Sequence, residues 1–265
     1  MKIFIAADME GTAGILTWSE TERDHPDYPA YGELMTREVV AACEGARAAG
    51  ADEVVVKDAH DSARNLIAGL LPDYVRIIRG WSGHPDSMMF GLNESFAGAI
   101  YTGYHSKAGA EGNLLAHSFT TRISRLLLNG EVVSELTLNA LCAARYGVPS
   151  LFLSGDEGIC ADARTLLPGI GTVETLRGFG ASSDSLSPEA ARKAIRAGVE
   201  AAIRAPRPPL PAIPATLEMV IEFNTPNDAY RAAFYPGAKT HGPRAVSFVT
   251  SDLFQMQTAR QFMLG

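Results

Sequence analysis

The residues of this sequence that could do chemistry together are carboxylates and imidazoles. Asp8 and Glu10 stand two apart near the amino terminus, His60 lies in Asp58-Ala59-His60-Asp61-Ser62, His105 ends Gly103-Tyr104-His105, and Glu135 follows Ser134. Mixed oxygen and nitrogen donors suit Zn²⁺ or a similar first-row ion, whereas an all-oxygen set would favour Mg²⁺ or Ca²⁺. Zinc is the leading choice. Three carboxylates and two histidines exceed the three protein ligands of a mononuclear catalytic zinc. Either two ions share a bridging carboxylate or some of these residues sit behind the ligands and orient them; two ions are favoured. Singly, each residue has an ordinary explanation: Asp8 and Glu10 as capping or surface acids, His60 and His105 as turn or loop residues, Glu135 as a first-turn helix acid. His117, in Leu114-Leu115-Ala116-His117-Ser118-Phe119, lies in a mainly apolar stretch and by itself reads as a core histidine.

The elements around these residues raise the joint reading above the separate ones. Lys2 to Ala7 is a short apolar run that predicts a buried first strand with Asp8 at its carboxyl end. Apolar and small residues at three- and four-residue steps from Gly32 to Ala49 predict a helix that Gly50 terminates. Glu53 to Lys57 predicts a second strand leading into His60, and Tyr74 to Ile78 and Ala99 to Thr102 two more, the last leading into His105. In an open α/β sheet, ligands bind beyond the carboxyl ends of the strands, so this topology gathers Asp8, Glu10, His60 and His105 in one place.

Beyond them, Asn129-Gly130 predicts a tight hairpin between Arg122–Leu128 and Glu131–Ser134. Glu135 opens a helix that ends near Gly147, followed by a strand at Ser150 to Ser154, a helix from Glu157 to Leu166, a strand near Thr172 to Leu176, and a helix from Ser187-Pro188 to Arg204. The proline-rich run 206–214 reads as a stiff connector. It divides a catalytic α/β domain, 1–205, from a smaller α/β unit within 206–265 that could pack on it as one domain. That unit should hold a strand over Leu217 to Phe223, a short helix opened by Pro226, a strand from Arg244 to Thr250 and a final helix capped by Ser251-Asp252. The expected class is α/β, a mostly parallel sheet flanked by helices with a smaller C-terminal α/β unit.

A net charge of -7 without a Lys/Arg-rich block argues against nucleic acid as a partner. No apolar run approaches the roughly 20 residues of a membrane helix, so a soluble, cytoplasmic protein with no membrane partner is expected. The three cysteines, Cys43, Cys142 and Cys160, are widely spaced among alanines and leucines and read as core residues.

Taken in order, Asp8-Met9-Glu10-Gly11, Asp58-Ala59-His60, Gly103-Tyr104-His105, Ala116-His117-Ser118 and Glu135-Leu136-Thr137-Leu138-Asn139-Ala140 resemble the binuclear zinc D-aminopeptidases over almost the whole chain. The resemblance implies Asp8, Glu10, His60, His105 and Glu135 as zinc ligands, Asp8 as the bridge between two ions per chain, and His117 as the catalytic histidine. It further implies short peptide substrates with an N-terminal D-residue such as D-Ala, a binuclear zinc-hydroxide mechanism, and a toroidal homodecamer. The sequence departs from the family pattern at Ala6, where serine is usual, and at Lys57 beside the His60 segment.

Other readings of the same residues are a metal-dependent amidase acting on small non-peptide amides and a non-catalytic metal- or peptide-binding protein. A dinucleotide-dependent oxidoreductase fits the α/β pattern, but the carboxylates after the first strand would repel a pyrophosphate.

Overall fold

The computed structural model describes residues 1–265. Its strands are β1 (Lys2–Ala7), β2 (Glu53–Asp58), β3 (Val75–Ile78), β4 (Gly98–Tyr104), β5 (Ile123–Leu128), β6 (Glu131–Val132), β7 (Ser150–Asp156), β8 (Gly171–Phe179), β9 (Ser182–Ser185), β10 (Leu217–Phe223), β11 (Lys239–Thr240) and β12 (Ala245–Thr250). The helices are α1 (Tyr28–Ala48), α2 (Glu135–Arg145), α3 (Glu157–Leu166), α4 (Pro188–Arg204), α5 (Pro226–Ala232) and α6 (Leu253–Leu264). A seven-stranded sheet runs β3-β2-β1-β4-β7-β8-β9 and is parallel except at its β9 edge. The expected α/β class, with its mostly parallel sheet between helices, is what the chain adopts.

Alternation along β1 sorts the layers, because successive strand side chains point to opposite faces. Ile3, Ile5 and Ala7 join one core with Met35, Val39 and Cys43 of α1 and Ile195 and Val199 of α4. Phe4 and Ala6 join the other with Leu136 and Ala140 of α2 and Ile159 and Ala163 of α3. A second sheet, β11-β12-β10-β5-β6, is antiparallel throughout. It draws β5 and β6 from before the proline-rich run and the rest from after it, and its core takes Leu138 and Leu141 of α2 with Met256 and Ala259 of α6. Helix α2 is therefore gripped on two sides.

Several elements differ from the sequence expectation, among them α1, β8, β9 and the two-residue β11. The first helix begins at Tyr28 rather than Gly32, with Pro29 in its first turn, where a missing N–H costs nothing. Strand β8 extends to Phe179 and turns back into β9, whose Ser-Ser-Asp-Ser sequence has no strand propensity and is held by pairing with β8 at the sheet edge.

The carboxyl ends of β1, β4 and β7 approach so closely that three glycines are needed. A Cβ at Gly11 would stand 1.9 Å from the Tyr104 carbonyl oxygen, one at Gly155 would stand 2.1 Å from the same atom, and one at Gly103 would stand 2.2 Å from the Asp8 carbonyl oxygen. Gly11→Ala is expected to cost about 3 kcal/mol and, in a chain of this size, to lower the melting temperature by roughly 6–12 °C. Gly69→Ala, where nothing lies within 4 Å, is the control. Equal melting temperatures for the two variants would rule out this contact.

Candidate metal centre

Asp8 directly follows β1, and its Oδ1 accepts the Met9 N–H at 2.9 Å. Glu10 lies one turn on, where the Gly11 N–H donates to the Gly103 carbonyl at 2.9 Å and the Ala13 N–H to Glu38 Oε1 at 2.9 Å. Burial pushes the Glu38 carboxyl up to about 8, so it is mainly protonated at neutral pH and adds no charge behind the site. His60 sits in a loop organised by Asp58, whose Oδ2 accepts the Asn65 and Leu66 N–H groups at 2.5 and 2.8 Å. His105 follows β4, and the next residue, Ser106, donates its N–H to Asp156 Oδ2 at 2.6 Å; Asp156 also caps α3. Glu135 opens α2, capped by Ser134.

These residues converge. Asp8 Oδ1 is 3.3 Å from His60 Nδ1, and Asp8 Oδ2 is 3.5 Å from His105 Nε2. Glu10 Oε2 is 3.1 Å from the same His60 nitrogen, and Glu135 Oε1 is 3.6 Å from the same His105 nitrogen. Asp8, Glu10 and His60 thus form one cluster and Asp8, His105 and Glu135 another, each with ligand atoms within 4.8 Å of one another. His117, less buried, stacks on His105 with ring centres 4.2 Å apart, and its Nε2 is 3.8 Å from Glu10 Oε1 and from Glu135 Oε1. It completes a third cluster with Glu10 and His105. All six residues singled out in the sequence are brought together; the remaining histidines, His25, His84 and His241, are elsewhere.

The donor set fits metal ions. Each of the three histidines turns its other ring nitrogen to a backbone carbonyl: His60 Nε2 to Thr21 at 3.0 Å, His105 Nδ1 to Ser106 at 2.9 Å, His117 Nδ1 to Leu115 at 2.9 Å. A carbonyl only accepts, so that nitrogen carries the hydrogen and the neutral ring aims a lone pair at the carboxylates. Lone pairs facing each other need a cation between them, and Glu10 Oε2 has no hydrogen-bond partner of its own.

Where no metal is bound, a second proton takes that place. Burial opposes charge on His60, but Glu10 and Asp8 outweigh it and hold the imidazole well above the histidine range. Burial likewise opposes charge on His105, and Glu135 with Asp8 outweighs it. Burial would raise Glu10, yet His60, His105 and His117 hold it well below the carboxylate range. Glu135 is raised, by burial first and then by Asp8, with His105 opposing.

Four residues at the site carried no signal that the sequence reading used. Phe119 donates its N–H to Glu135 Oε1 at 2.5 Å from a backbone with φ +61°, a region a bulky side chain rarely enters. Trp18 meets the His117 ring edge-on at 5.3 Å. Trp81 lies 4.2 Å from the Nζ of Lys57, which also donates to the Asp58 and Gly80 carbonyls, so the departure at Lys57 holds a wall of the site. Arg260 is the lone cation in α6, whose apolar residues occupy every face, and that isolation was the available clue. Trp18, Trp81, Phe119 and Arg260 wall a cavity of about 710 Å³ open to Asp8, Glu10, His60, His117 and Glu135.

A parallel sheet with buried carboxylates and imidazoles at its strand ends, under a cavity of small-molecule size, defines an α/β metal-dependent hydrolase. A family model described as D-aminopeptidase matches residues 1–262, and the chain belongs to that family. It is 29% identical to the D-aminopeptidase of Bacillus subtilis (strain 168), over 99% of this chain and 96% of that one. Its fold superimposes with a TM-score of 0.93, at 28% identity and over 99% of this chain and 96% of the other, on the Zn-dependent D-aminopeptidase DppA from Bacillus subtilis, a self-compartmentalizing protease.

The shifts set a pH window for the metal-free protein. Glu10, with a lowered folded pKa, contributes stability above about 4.5 that is lost as pH falls through the folded value. His60 and His105, with raised folded values, contribute stability complete below about 6.5 and lost as pH rises through those values. Chelated protein should therefore melt highest between about pH 4.5 and 6.5 and lose stability toward alkaline pH. A divalent ion needs neutral imidazoles, so the extra stability on adding Zn²⁺ should grow with pH. Chelated protein that grew steadily more stable from pH 6.5 to alkaline pH would contradict this ligand chemistry.

Proposed function

We propose that this chain is a binuclear zinc aminopeptidase that removes N-terminal D-residues, such as D-Ala, from dipeptides and short peptides. The observation that carries the reading is the double use of Asp8: its two oxygens face two different histidines, each accompanied by a second carboxylate, Glu10 on one side and Glu135 on the other. Two sites sharing Asp8 would hold two ions, with Glu10 and His60 completing one and His105 and Glu135 the other. Zinc follows from the mixed donor set and from the Zn-dependent relative. Bound there, it supplies Lewis-acid polarisation of a carbonyl and a water whose pKa falls to about 7.

The chain's own residues do the rest. The metal end held by Asp8, Glu10 and Glu135 would receive the substrate's terminal amine in its neutral, lone-pair form, which favours cleavage next to a free amino terminus. His117 is fixed by its Nδ1–H donated to the Leu115 carbonyl, by stacking on His105 and by the edge of Trp18. Its Nε2 takes the proton of the attacking water and returns it to the departing amine. Trp18, Trp81 and Phe119 narrow the cavity and limit bulk water around the reacting groups.

Self-association belongs to the same proposal. Phe262 of α6 is 67% and Phe234, just after α5, 71% exposed, and such aromatics are a surface for a second copy of the chain. The self-compartmentalizing relative supports assembly of copies, and a homodecamer is the form the family resemblance implies. Three free buried thiols suit a reducing compartment, the cytoplasm; no helix is long and apolar enough to cross a membrane.

Zinc analysis of purified protein, with amino-acid release from D-Ala-D-Ala and L-Ala-L-Ala before and after chelation, tests the function. About two ions per chain, as the bridged site predicts, with chelator-sensitive D-selective cleavage, is the expected result; bound zinc without cleavage of either peptide would refute the peptidase reading. His117→Ala should lower kcat by about 10²–10⁴-fold while zinc content stays near that of the unaltered protein. Full turnover in that variant would remove the proton-transfer role.

A further inference from the structure

We infer that Arg260 is a specificity-determining residue that receives the free α-carboxylate of the substrate, which makes dipeptides with an unblocked C-terminus the preferred class. The inference rests on the aminopeptidase reading above and deepens it.

Arg260 is 3% exposed, yet no carboxylate lies within ion-pair distance of it. Its one hydrogen bond is from Nη2 to the Pro85 carbonyl at 3.3 Å, and its Nε has no partner. Buried arginines are ordinarily paired, because an uncompensated buried cation costs several kcal/mol. Elsewhere in this chain the pairing is made: the part-buried Arg145 meets the buried Asp86 at 2.6 Å. Burial pulls the guanidinium down to about 10, so it remains a cation at neutral pH. A buried, charged, under-bonded fork on a cavity wall is a receptor for an anion.

The anion's chemistry follows from the metal end of the same cavity. Under the reading above, the metal end held by Asp8, Glu10 and Glu135 takes the terminal amine, so a ligand reaching from it to Arg260 carries an amine at one end and an anion at the other, as an unblocked short peptide does. A cavity of about 710 Å³ is the size for such a molecule and far too small for a folded protein. Phe119 ties the two ends together: its N–H donates to Glu135 Oε1, and its ring lies 3.9 Å from the Arg260 guanidinium carbon. With the guanidinium over the Phe119 ring and α6 anchored through Met256, Ala259 and Met263, the donors are held before the ligand arrives. Arg122, the other cation on the cavity, is 40% exposed and already faces Asp228 at 3.5 Å, so Arg260 is the one without a carboxylate in contact, Glu135 and Asp86 acting on it only from beyond ion-pair distance.

The test compares kcat/KM for D-Ala-D-Ala and for the same dipeptide with its C-terminus as the carboxamide, using zinc-loaded full-length protein. Unaltered enzyme should favour the acid by about 30-fold or more, mostly through KM. Arg260→Met should bring the acid down to the level of the amide while amide turnover stays within about 3-fold, and Arg260→Lys should keep part of the preference. Equal cleavage of acid and amide by the unaltered enzyme would overturn the assignment without any variant, even if Arg260→Met failed to fold. So would an Arg260→Met variant that lost acid and amide by the same factor, since that is what a residue merely supporting Phe119 would do. Cleavage of neither peptide by unaltered enzyme would sink the aminopeptidase reading itself, a result distinct from equal cleavage of both.

Discussion

Three carboxylates, Asp8, Glu10 and Glu135, are removed from water within a few ångströms of one another, and the rest of the molecule is arranged around that charge. Each is at most 5% exposed. A pair of like charges about 4 Å apart at an effective dielectric near 20 costs on the order of 4 kcal/mol, and burial adds a desolvation cost to each. Only cations can offset this, protons on the imidazoles or metal ions in their place. The imidazoles are therefore fixed first, each by a hydrogen bond to a backbone carbonyl that leaves the lone pair aimed inward. A site built this way is poised for divalent ions by electrostatics before any particular ligand geometry is considered.

Holding such a site requires backbone that cannot drift, and acids that bind no metal provide it. Asp58 gathers the Asn65 and Leu66 amides and so shapes the loop of His60; Asp156 gathers the Ser106 and Ile159 amides and so ties the residue after His105 to α3. Asp58 ends β2 in register with Ala7, which pairs with Thr102 on its other side, and Asp8 follows one residue beyond. What separates their roles is the partner: amides for the supporting acid, imidazoles for the other. Gly11, Gly103 and Gly155 let the same strand ends close up, which brings the Asp8 loop and the His105 loop into contact.

That contrast also marks how far the sequence could be read. Short apolar runs ending in polar residues predict β1, β2 and β4 and the placement of Asp8, Glu10, His60 and His105 beyond them, because period and strand-end chemistry are local properties. The Ser134–Glu135 cap is local too. The second sheet is not, for β5 pairs with β10 across a separation such as Leu128 to Met219 that no periodicity records. His117 is the plainest case: its neighbours are apolar, so local context makes it a core histidine, and only the stacking on His105 brings it to the carboxylates. Trp18, Phe119 and Arg260 act through contacts of the same long-range kind.

The site is therefore a product of two packed units rather than of one sheet. Asp8, Glu10, His60 and His105 belong to the strand ends of the parallel sheet, whereas Phe119 packs against both the parallel-sheet core and the core of the antiparallel sheet. Helix α2 carries Glu135 between them, burying Leu136 and Ala140 on one side and Leu138 and Leu141 on the other. Any shift of the antiparallel sheet would move Glu135 and the Phe119 amide relative to Asp8, and with them the partners of His105 and His117. Packing between the units and charge within the site are thus one constraint: the apolar grip on α2 keeps a buried carboxylate where its repulsion from Asp8 would otherwise drive it away.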